Sequence, residues 1–349
     1  MYIAGMNRIF HYYAVKFLAL RGGIDEDNAE IIAFSSQLVD RSLIPVQVDT
    51  GAGAPYVIQP THHFGFWDKS QEDEVWIPFH FFPSGDAVQA ATRLKGKRPE
   101  TPELVIPDSP PVKELLITGL KTRNPYRVGI ALHSYADSWA HQNFLGRNSG
   151  INRIENFNPI PPAGHAQIGR NPDIWNLNWI DPRLKPELQI ADNSRRFMAA
   201  AEKIYKYLAT YSRRSFHDWE LVKMELEDIL FSGSSGKEPS AANTYPRPNG
   251  VAGDHRLEVE FRLKLGVDEL DDALWFNEAL EDLPTGSLLR RGNTDRFTAA
   301  EHEIRKLLQF RRMAPRKPRD NFQESHIYRW SEAAKAQLED ARRIIKNLC

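Results

Sequence analysis

A single cysteine, Cys349, stands at the very end of the chain. Disulfides within the chain are therefore excluded, and a thiolate metal site is disfavoured from the outset. No run of about 18 apolar residues exists, so no segment is long enough for a membrane-spanning helix. Charge of one sign is also missing: 45 Lys and Arg against 46 Asp and Glu leave a formal charge of −1, which gives no global reason to expect a polyanion partner. The local basic run Arg311, Arg312, Arg316, Lys317 and Arg319 reads as a solvated, proline-broken loop rather than a phosphate site. Several nucleophile and nucleotide motifs are lacking too. There is no GxSxG elbow, because SGSSG lies in an apparent linker without strand and helix flanks, and neither GxxxxGK[ST] nor GxGxxG occurs. The N-terminus, MYIAGMNRIFHYYAVKFLAL, lacks a basic region, an uninterrupted apolar stretch and a small-residue cleavage site. Cytoplasmic residence is the default expectation, with export by a route that needs no cleaved signal left open.

What is present is an ordinary globular composition, 41% hydrophobic and 26% charged over 349 residues, enough for one large domain or two smaller ones. The apolar spacing predicts a mainly α fold. Ile9 to Leu20 reads as a helix stopped by Gly22 and Gly23, and Asp25 as the cap of a second helix reaching Val39, an antiparallel pair. From Pro45 to Pro83 the helical period dissolves into a loop rich in Gly, Pro, aromatic residues and His, including HHFGFW and VWIPFHFFP. Further helices are expected at Gly85–Ala91, Val112–Thr122, Tyr126–Leu145, Asp192–Tyr211 and Asp218–Phe231, with a second irregular region from Asn148 to Pro186. Three parts follow: a helical metal-binding core over 1–231, a linker or mobile loop over 232–253, and a helical extension over 254–349 packed on the core. Asp268–Leu280, Thr298–Arg312 and Glu324–Leu348 are the helices expected there.

The chemistry concentrates in NPYRVGIALHSYADSWAHQNFLG, where His133, Asp137 and His141 form HxxxDxxxH. Positions i, i+4 and i+8 of an α-helix drift by only about 40° per step, so all three share one stripe. Ala131, Leu132, Ala136 and Ala140 already supply apolar packing. A set of hydrogen-bonded polar residues in a helix interface would explain any one histidine. The three together point to a metal or catalytic role. Without thiolates, imidazole and carboxylate ligands favour zinc, with iron or manganese as substitutes, whereas magnesium prefers oxygen alone. Other donors lie close in sequence: His11 on the first helix, Asp40 just past the second, His62, His63 and His80 in the loop, and His165 and Asp173 after the central helix. Seven of the eleven histidines fall in the first half of the chain, while His217, His255, His302 and His326 sit singly in charged contexts and read as surface or capping residues. Adjacent His62 and His63 tend to point apart in an extended chain, so one of the two is expected to be a ligand. His80, between Phe79 and Phe81, would point opposite its neighbours in a strand and serve as a ligand or as a donor to one.

The ordered series of a helix His, an Asp ending the next helix, a loop His and then HxxxDxxxH within LHSYADSWAHQNF resembles the zinc-dependent phospholipase C and single-strand nuclease superfamily. More closely, HYYAVKFLALRGGIDEDNAEIIAFSSQLVD and GHAQIGRNPD look like a group of uncharacterised bacterial proteins related to it, over about residues 10 to 210. The resemblance implies a multi-helix fold holding one to three zinc ions that activate water against a phosphodiester or phosphomonoester. It also implies ligand sets. Asp40, one of His62 and His63, His133 and Asp137 would hold one zinc; His141 and His165 would hold a second; His11 with Asp137 would hold a third. Asp137 would bridge metals and orient the water or take its proton. The chain departs from the superfamily pattern in three places: ten residues precede His11 with no expected cleavage site, where the superfamily often uses the amino group of a processed N-terminal Trp; the gap from Asp137 to His141 is shorter; and Gly169 stands four residues after His165 where a carboxylate is usual. Asp173 is taken as its substitute. Arg147 and Arg170 are the nearby residues that could clamp a phosphoryl group.

The expected function is a metal-dependent phosphate-ester hydrolase acting on a lipid headgroup, a nucleotide or single-stranded nucleic acid. A His-Asp phosphohydrolase is disfavoured because the central helix has no adjacent HD dipeptide. The alternative is a non-catalytic metal-binding or structural helical protein that keeps the scaffold.

Overall fold

The computed structural model describes residues 8–43, 45–51, 53–63, 69–87, 93–95, 101–231, 251–281 and 315–348. It is mainly helical. A π-helical turn, Ile9–Ala14, runs into α1 (Val15–Arg21), which reverses through Gly22 and Gly23 into α2 (Glu26–Val39). Gly23 has φ of +86°, a conformation that favours glycine. The Asp25 carboxylate accepts from the Asn28 N–H at 3.0 Å, the cap that the sequence suggests, a feature worth about 1 kcal/mol.

α3 (Pro110–Lys121) and α4 (Pro125–Ala140) follow, and after a long irregular stretch come α5 (Asn193–Tyr211), α6 (Trp219–Phe231), α7 (Val251–Leu265), the short α8 (Leu274–Ala279) and α9 (His326–Lys346). Two small antiparallel hairpins complete the described structure. β1 (Gln47–Val48) pairs with β2 (Tyr56–Val57), and β3 (Asn178–Ile180) pairs with β4 (Ile190–Asp192) with Trp179 opposite Ala191.

The centre of the fold is the crossing of α2 and α4. A Cβ added to Gly129 would lie 2.2 Å from the Ile32 carbonyl oxygen, so the two backbones touch where only hydrogen fits. At the same crossing the Trp330 indole of α9 donates to the Ser35 carbonyl at 3.1 Å and is fully buried. One continuous apolar core runs from Ile9 through α2, α4 and α5 to Phe261, Trp275, Trp330 and Ile344. The last third of the described chain therefore shares the core of the first two. A second, smaller core (Val75, Phe81, Phe144, Ile168, Trp179) lies under the irregular stretch between α4 and α5.

Four expectations about local structure change. The loop over 45–83 is not devoid of helix: residues 69–79 form a helical run with a π-helical middle, Glu72–Trp76. Helix α4 ends at Ala140 rather than Leu145. Asn143, with φ of +71°, turns the chain, and residues 143 and 144 pair with Val105 instead of continuing the helix. Helix α7 begins at Val251, inside the span read as linker, and α8 is shorter than Asp268–Leu280. Residues 232–250, Thr298–Arg312 and most of Gly85–Ala91 lie outside the described residues.

Candidate metal centre

His11 comes from the π-helical turn before α1, a distortion that occurs often at functional sites. Asp40 caps the C-terminus of α2, and His133 and Asp137 lie one turn apart on α4. His141 is the C-cap of α4 with φ −89° and ψ 11°, so its donor set leaves the helical stripe while its N–H still donates to the Asp137 carbonyl at 2.8 Å. His80 caps the helical turn Ile77–Phe79 with φ of −126°; it is not in an extended strand, which corrects the orientation argument for its neighbours.

These residues converge. His80 Nδ1 lies 3.0 Å from Asp137 Oδ2 and 3.2 Å from His133 Nε2, and His133 Nε2 lies 3.2 Å from the same carboxylate oxygen. His11 Nε2 reaches the other oxygen of Asp137 at 3.2 Å, and its ring stacks on His133 with centroids 3.8 Å apart. Asp40 Oδ1 sits 3.7 Å from His133 Nε2 and 3.8 Å from His80 Nδ1. His62 joins Asp40 and His80 with ligand atoms within 4.8 Å of one another. Of the two adjacent histidines, His62 is the one placed among these donors. The Thr61 and His62 N–H groups both donate to the Ser42 carbonyl, which turns His62 inward, while His63 is half-buried, presents its carbonyl to the Trp76 indole, and falls in no donor group among the described residues.

A second group adjoins the first. His141 Nε2 lies 3.6 Å and His165 Nε2 3.9 Å from Asp173 Oδ1. Asp173, eight residues beyond His165, reaches that position because the intervening chain folds as two short 3₁₀ turns separated by Gly169 at φ +63°. The buried Asn193 side chain holds the second turn, donating to the carbonyls of Asn171 at 2.6 Å and Ile174 at 2.8 Å.

The anchoring of the rings shows how the donor atoms are aimed. A carbonyl oxygen can only accept, so the ring nitrogen facing it must carry the proton. His133 Nδ1 donates to Ser36 O at 2.8 Å, His80 Nε2 to Thr61 O at 2.8 Å, His141 Nδ1 to His80 O at 2.7 Å and His165 Nδ1 to Gly169 O at 2.8 Å. In each neutral ring the other nitrogen then presents a lone pair to the carboxylates. This is how metal-ligating histidines are held. Lone pairs facing carboxylate oxygens repel unless a cation or a proton sits between them. In keeping with that, His141 Nε2, His165 Nε2, Asp40 Oδ1 and both oxygens of Asp173 are buried with no hydrogen-bond partner. The donor set therefore fits a divalent cation, and nitrogen and oxygen donors together suit zinc.

The electrostatics agree. Burial pushes the His133 imidazole down to about 4, with His11 adding to the effect, and lowers His11, His141 and His165 as well. Burial pushes the Asp173 carboxyl up to about 8 and raises Asp40. His80 moves upward: burial opposes its charge, but the Asp137 hydrogen bond and the Asp137 and Asp40 charges outweigh it. Burial also opposes the charge of Asp137, but the charges of His141 and His133 and the hydrogen bonds of His11 and His133 hold its carboxyl well below the usual carboxylate range. Burial thus drives the periphery of the cluster toward neutral forms while Asp137 keeps its charge at the centre; a bound cation would offset the carboxylate charges.

Of the two arginines singled out as clamps, Arg147 points elsewhere, engaged with Asp73 at 2.9 Å and Glu103 at 2.8 Å. Arg170 stays close enough for its charge to act on Asp173. The residues sequence reasoning missed are mostly backbone acceptors, the carbonyls of Ser36, Thr61, His80 and Gly169, which no side-chain pattern advertises. Phe64 to Asp68, part of the aromatic-rich loop over 45–83, lie outside the described residues; Phe81 and Phe144 line the centre, with Phe81 stacked on His141 at 4.4 Å.

Residues 6–345 match DUF6765, a family of unknown function. No curated protein and no solved structure matches the chain.

Proposed function

From the premise that the chain belongs to DUF6765, we propose that it is a metal-dependent hydrolase of phosphate esters, with zinc as the metal. Its donors form two adjacent groups, His11, Asp40, His62, His80, His133 and Asp137 in one and His141, His165 and Asp173 in the other. The observation that carries this reading is the set of four imidazoles anchored through one nitrogen to backbone carbonyls, with their other nitrogens turned toward buried carboxylates. The metal would supply Lewis acidity, a lowered pKa for water and positive charge against phosphoryl oxygens. The chain's own residues do the positioning. Asp137 is fully buried between His11, His80 and His133, which suits it to hold the two groups in register. Asp40, with its side chain 7% exposed, and His62 and His80, at 4% and 3%, form the edge nearest solvent. Substrate would approach there, and Asp40 is the carboxylate placed to accept a proton from water.

The complete burial of His11, His133, Asp137 and Asp173 favours a second reading, a closed structural metal site in a non-catalytic protein. One experiment separates the two. Elemental analysis of the purified protein is followed by a panel of phosphodiesters and phosphomonoesters, with and without chelation. Stoichiometric zinc with chelator-sensitive turnover supports the hydrolase. Stoichiometric zinc without turnover, together with a large loss of thermal stability on chelation, supports the structural site. A protein free of transition metal would overturn both.

A further inference from the structure

Beyond the metal-binding residues, an arginine cluster adjoins the second donor group. Phe144 touches the ring of His165 on one hand and carries the Arg183 guanidinium 3.6 Å from its own centroid on the other. Arg183 is 2% exposed and clamps Asp181 bidentately, Nε to Oδ1 at 2.8 Å and Nη2 to Oδ2 at 2.6 Å. Arg93 lies on the segment paired with it: Leu94 and Leu184 form an antiparallel bridge that sets Lys95 opposite Arg183 and Arg93 opposite Lys185, with the Lys95 N–H donating to Arg183 O and the Lys185 N–H to Arg93 O. Arg93 Nε donates to the Asn143 side chain at 2.6 Å, two residues beyond His141. Arg196, on the first turn of α5, lies over Trp179 and feels the charges of both Arg93 and Arg183.

Asp181 pairs with Arg183 and its charge also acts on Arg196, while Asp192 acts on Arg196 and accepts from the Arg195 N–H as the cap of α5; Arg93 feels neither carboxylate. The excess is positive. The more specific observation concerns donors: Arg183 Nη1, Arg196 Nη1 and Asn143 Nδ2 are all buried with no hydrogen-bond partner. A buried donor left without a partner is costly, more so when it is charged, and here three lie in one neighbourhood. Among the described residues no protein acceptor answers them. The missing species is an acceptor with several oxygens and negative charge. A tetrahedral oxyanion meets donors arriving from different directions, which a planar carboxylate does not.

We propose that Arg93, Arg183, Arg196 and Asn143 form a binding site for a phosphate-class oxyanion beside the second donor group. Arg93 and Arg196 are half-buried, which leaves the site open to solvent on their side. The site binds the anion whether or not metal is loaded. Its service to hydrolysis, holding a phosphoryl group of the substrate or the phosphate released from it, rests on the phosphate-ester reading above.

The test is isothermal titration of inorganic phosphate, and separately of glycerol phosphate, into the full-length protein treated with chelator, against chloride at matched ionic strength. Saturable phosphate binding is expected, weakened about tenfold or more by Arg196→Gln and by Arg93→Gln, since each removes a charge-assisted donor. Circular dichroism and zinc content of the two variants stay as in the parent protein, because neither residue is a metal donor. Tighter binding of glycerol phosphate than of inorganic phosphate marks the substrate as the source, and the reverse order marks the released product. No saturable binding, or binding that neither variant weakens while both remain folded, overturns the proposal. Because the titration is done without metal, its failure is distinct from a failure to find zinc.

Discussion

The His141 ring is oriented by the backbone of His80: Nδ1 of His141 donates to the His80 carbonyl oxygen at 2.7 Å, while the His80 side chain belongs to the neighbouring donor group. One residue therefore serves both groups, by its ring in the first and by its backbone in the second. The two are mechanically joined across 61 residues of sequence.

Because the anchor is backbone, His80→Ala removes a donor from the first group but keeps the carbonyl that holds His141. Zinc content is expected to fall by the first group's share only. His165→Ala is expected to remove the second group's metal and spare the first, and Asp137→Ala, which takes away the carboxylate shared by three imidazoles, to remove most of it. Elemental analysis of the three variants checks this. Equal losses from all three would show that the groups do not bind separately.

Gly129 is where α2 and α4 touch, and the same crossing sets Ser36 O against His133 Nδ1. Gly129→Ala puts a Cβ within 2.2 Å of a backbone oxygen that cannot swing aside. It should cost about 1–3 kcal/mol by overpacking and lower zinc occupancy along with the melting temperature. Gly150→Ala, whose added Cβ meets nothing within 4 Å, is the control and should change neither.

Asn193 holds the turn that carries Asp173, and its side-chain oxygen also accepts from the Trp179 indole at 3.1 Å. Asn193→Ala leaves buried carbonyls and an indole N–H without partners, a loss of about 1–3 kcal/mol. The second group should lose metal affinity while the first retains it. Calorimetry with zinc titration reads both effects, and unchanged zinc stoichiometry would rule out this positioning role.

The pH dependence of the chelated protein has two opposing contributions. His133, lowered to about 4 by burial, resists protonation that the unfolded chain accepts near 6.5, so its contribution is lost as pH falls from about 6.5 to about 4. Asp173, raised to about 8 by burial, resists ionisation that the unfolded chain undergoes near 3.8, so its contribution is lost as pH rises from there through about 8. Metal requires neutral imidazole and ionised carboxylate. The gap in melting temperature between zinc-loaded and chelated protein should therefore widen from about pH 5 to pH 8. Differential scanning calorimetry across that range measures it, and a gap independent of pH would contradict the assignment of His133 and Asp173.

The family match runs over nearly the whole chain, and the shared core is consistent with that extent. The helical character, the Asp25 cap and the stops at Gly22 and Gly23 were legible because they depend on neighbours within a turn or two. The His133–Asp137 pair was legible for the same reason, since i and i+4 on a helix face together whatever surrounds them. The end of α4 was not. Ala140 to Leu145 has helical composition, and only the pairing of Asn143 and Phe144 with Val105, nearly forty residues earlier, draws the chain away. The strand conformation expected around His80 fails for a related reason, as Pro78 between Ile77 and Phe79 suits a strand or the start of a short helical turn equally.

The amino-acid sequence by itself determined the inventory: no thiolate, seven histidines in the first half, three aspartates near them, and a central helix presenting two of these donors on one face. Those features follow from residue chemistry and from the period of a helix. Tertiary structure alone decided which of His62 and His63 turns inward, that His80 joins the first group by its ring and holds His141 by its carbonyl, that Asp173 reaches His141 and His165, and that Arg93, Arg183 and Arg196 gather beside Phe144. Each of these depends on a backbone carbonyl or a packed ring supplied from far along the chain, and such partners leave no periodic trace in sequence.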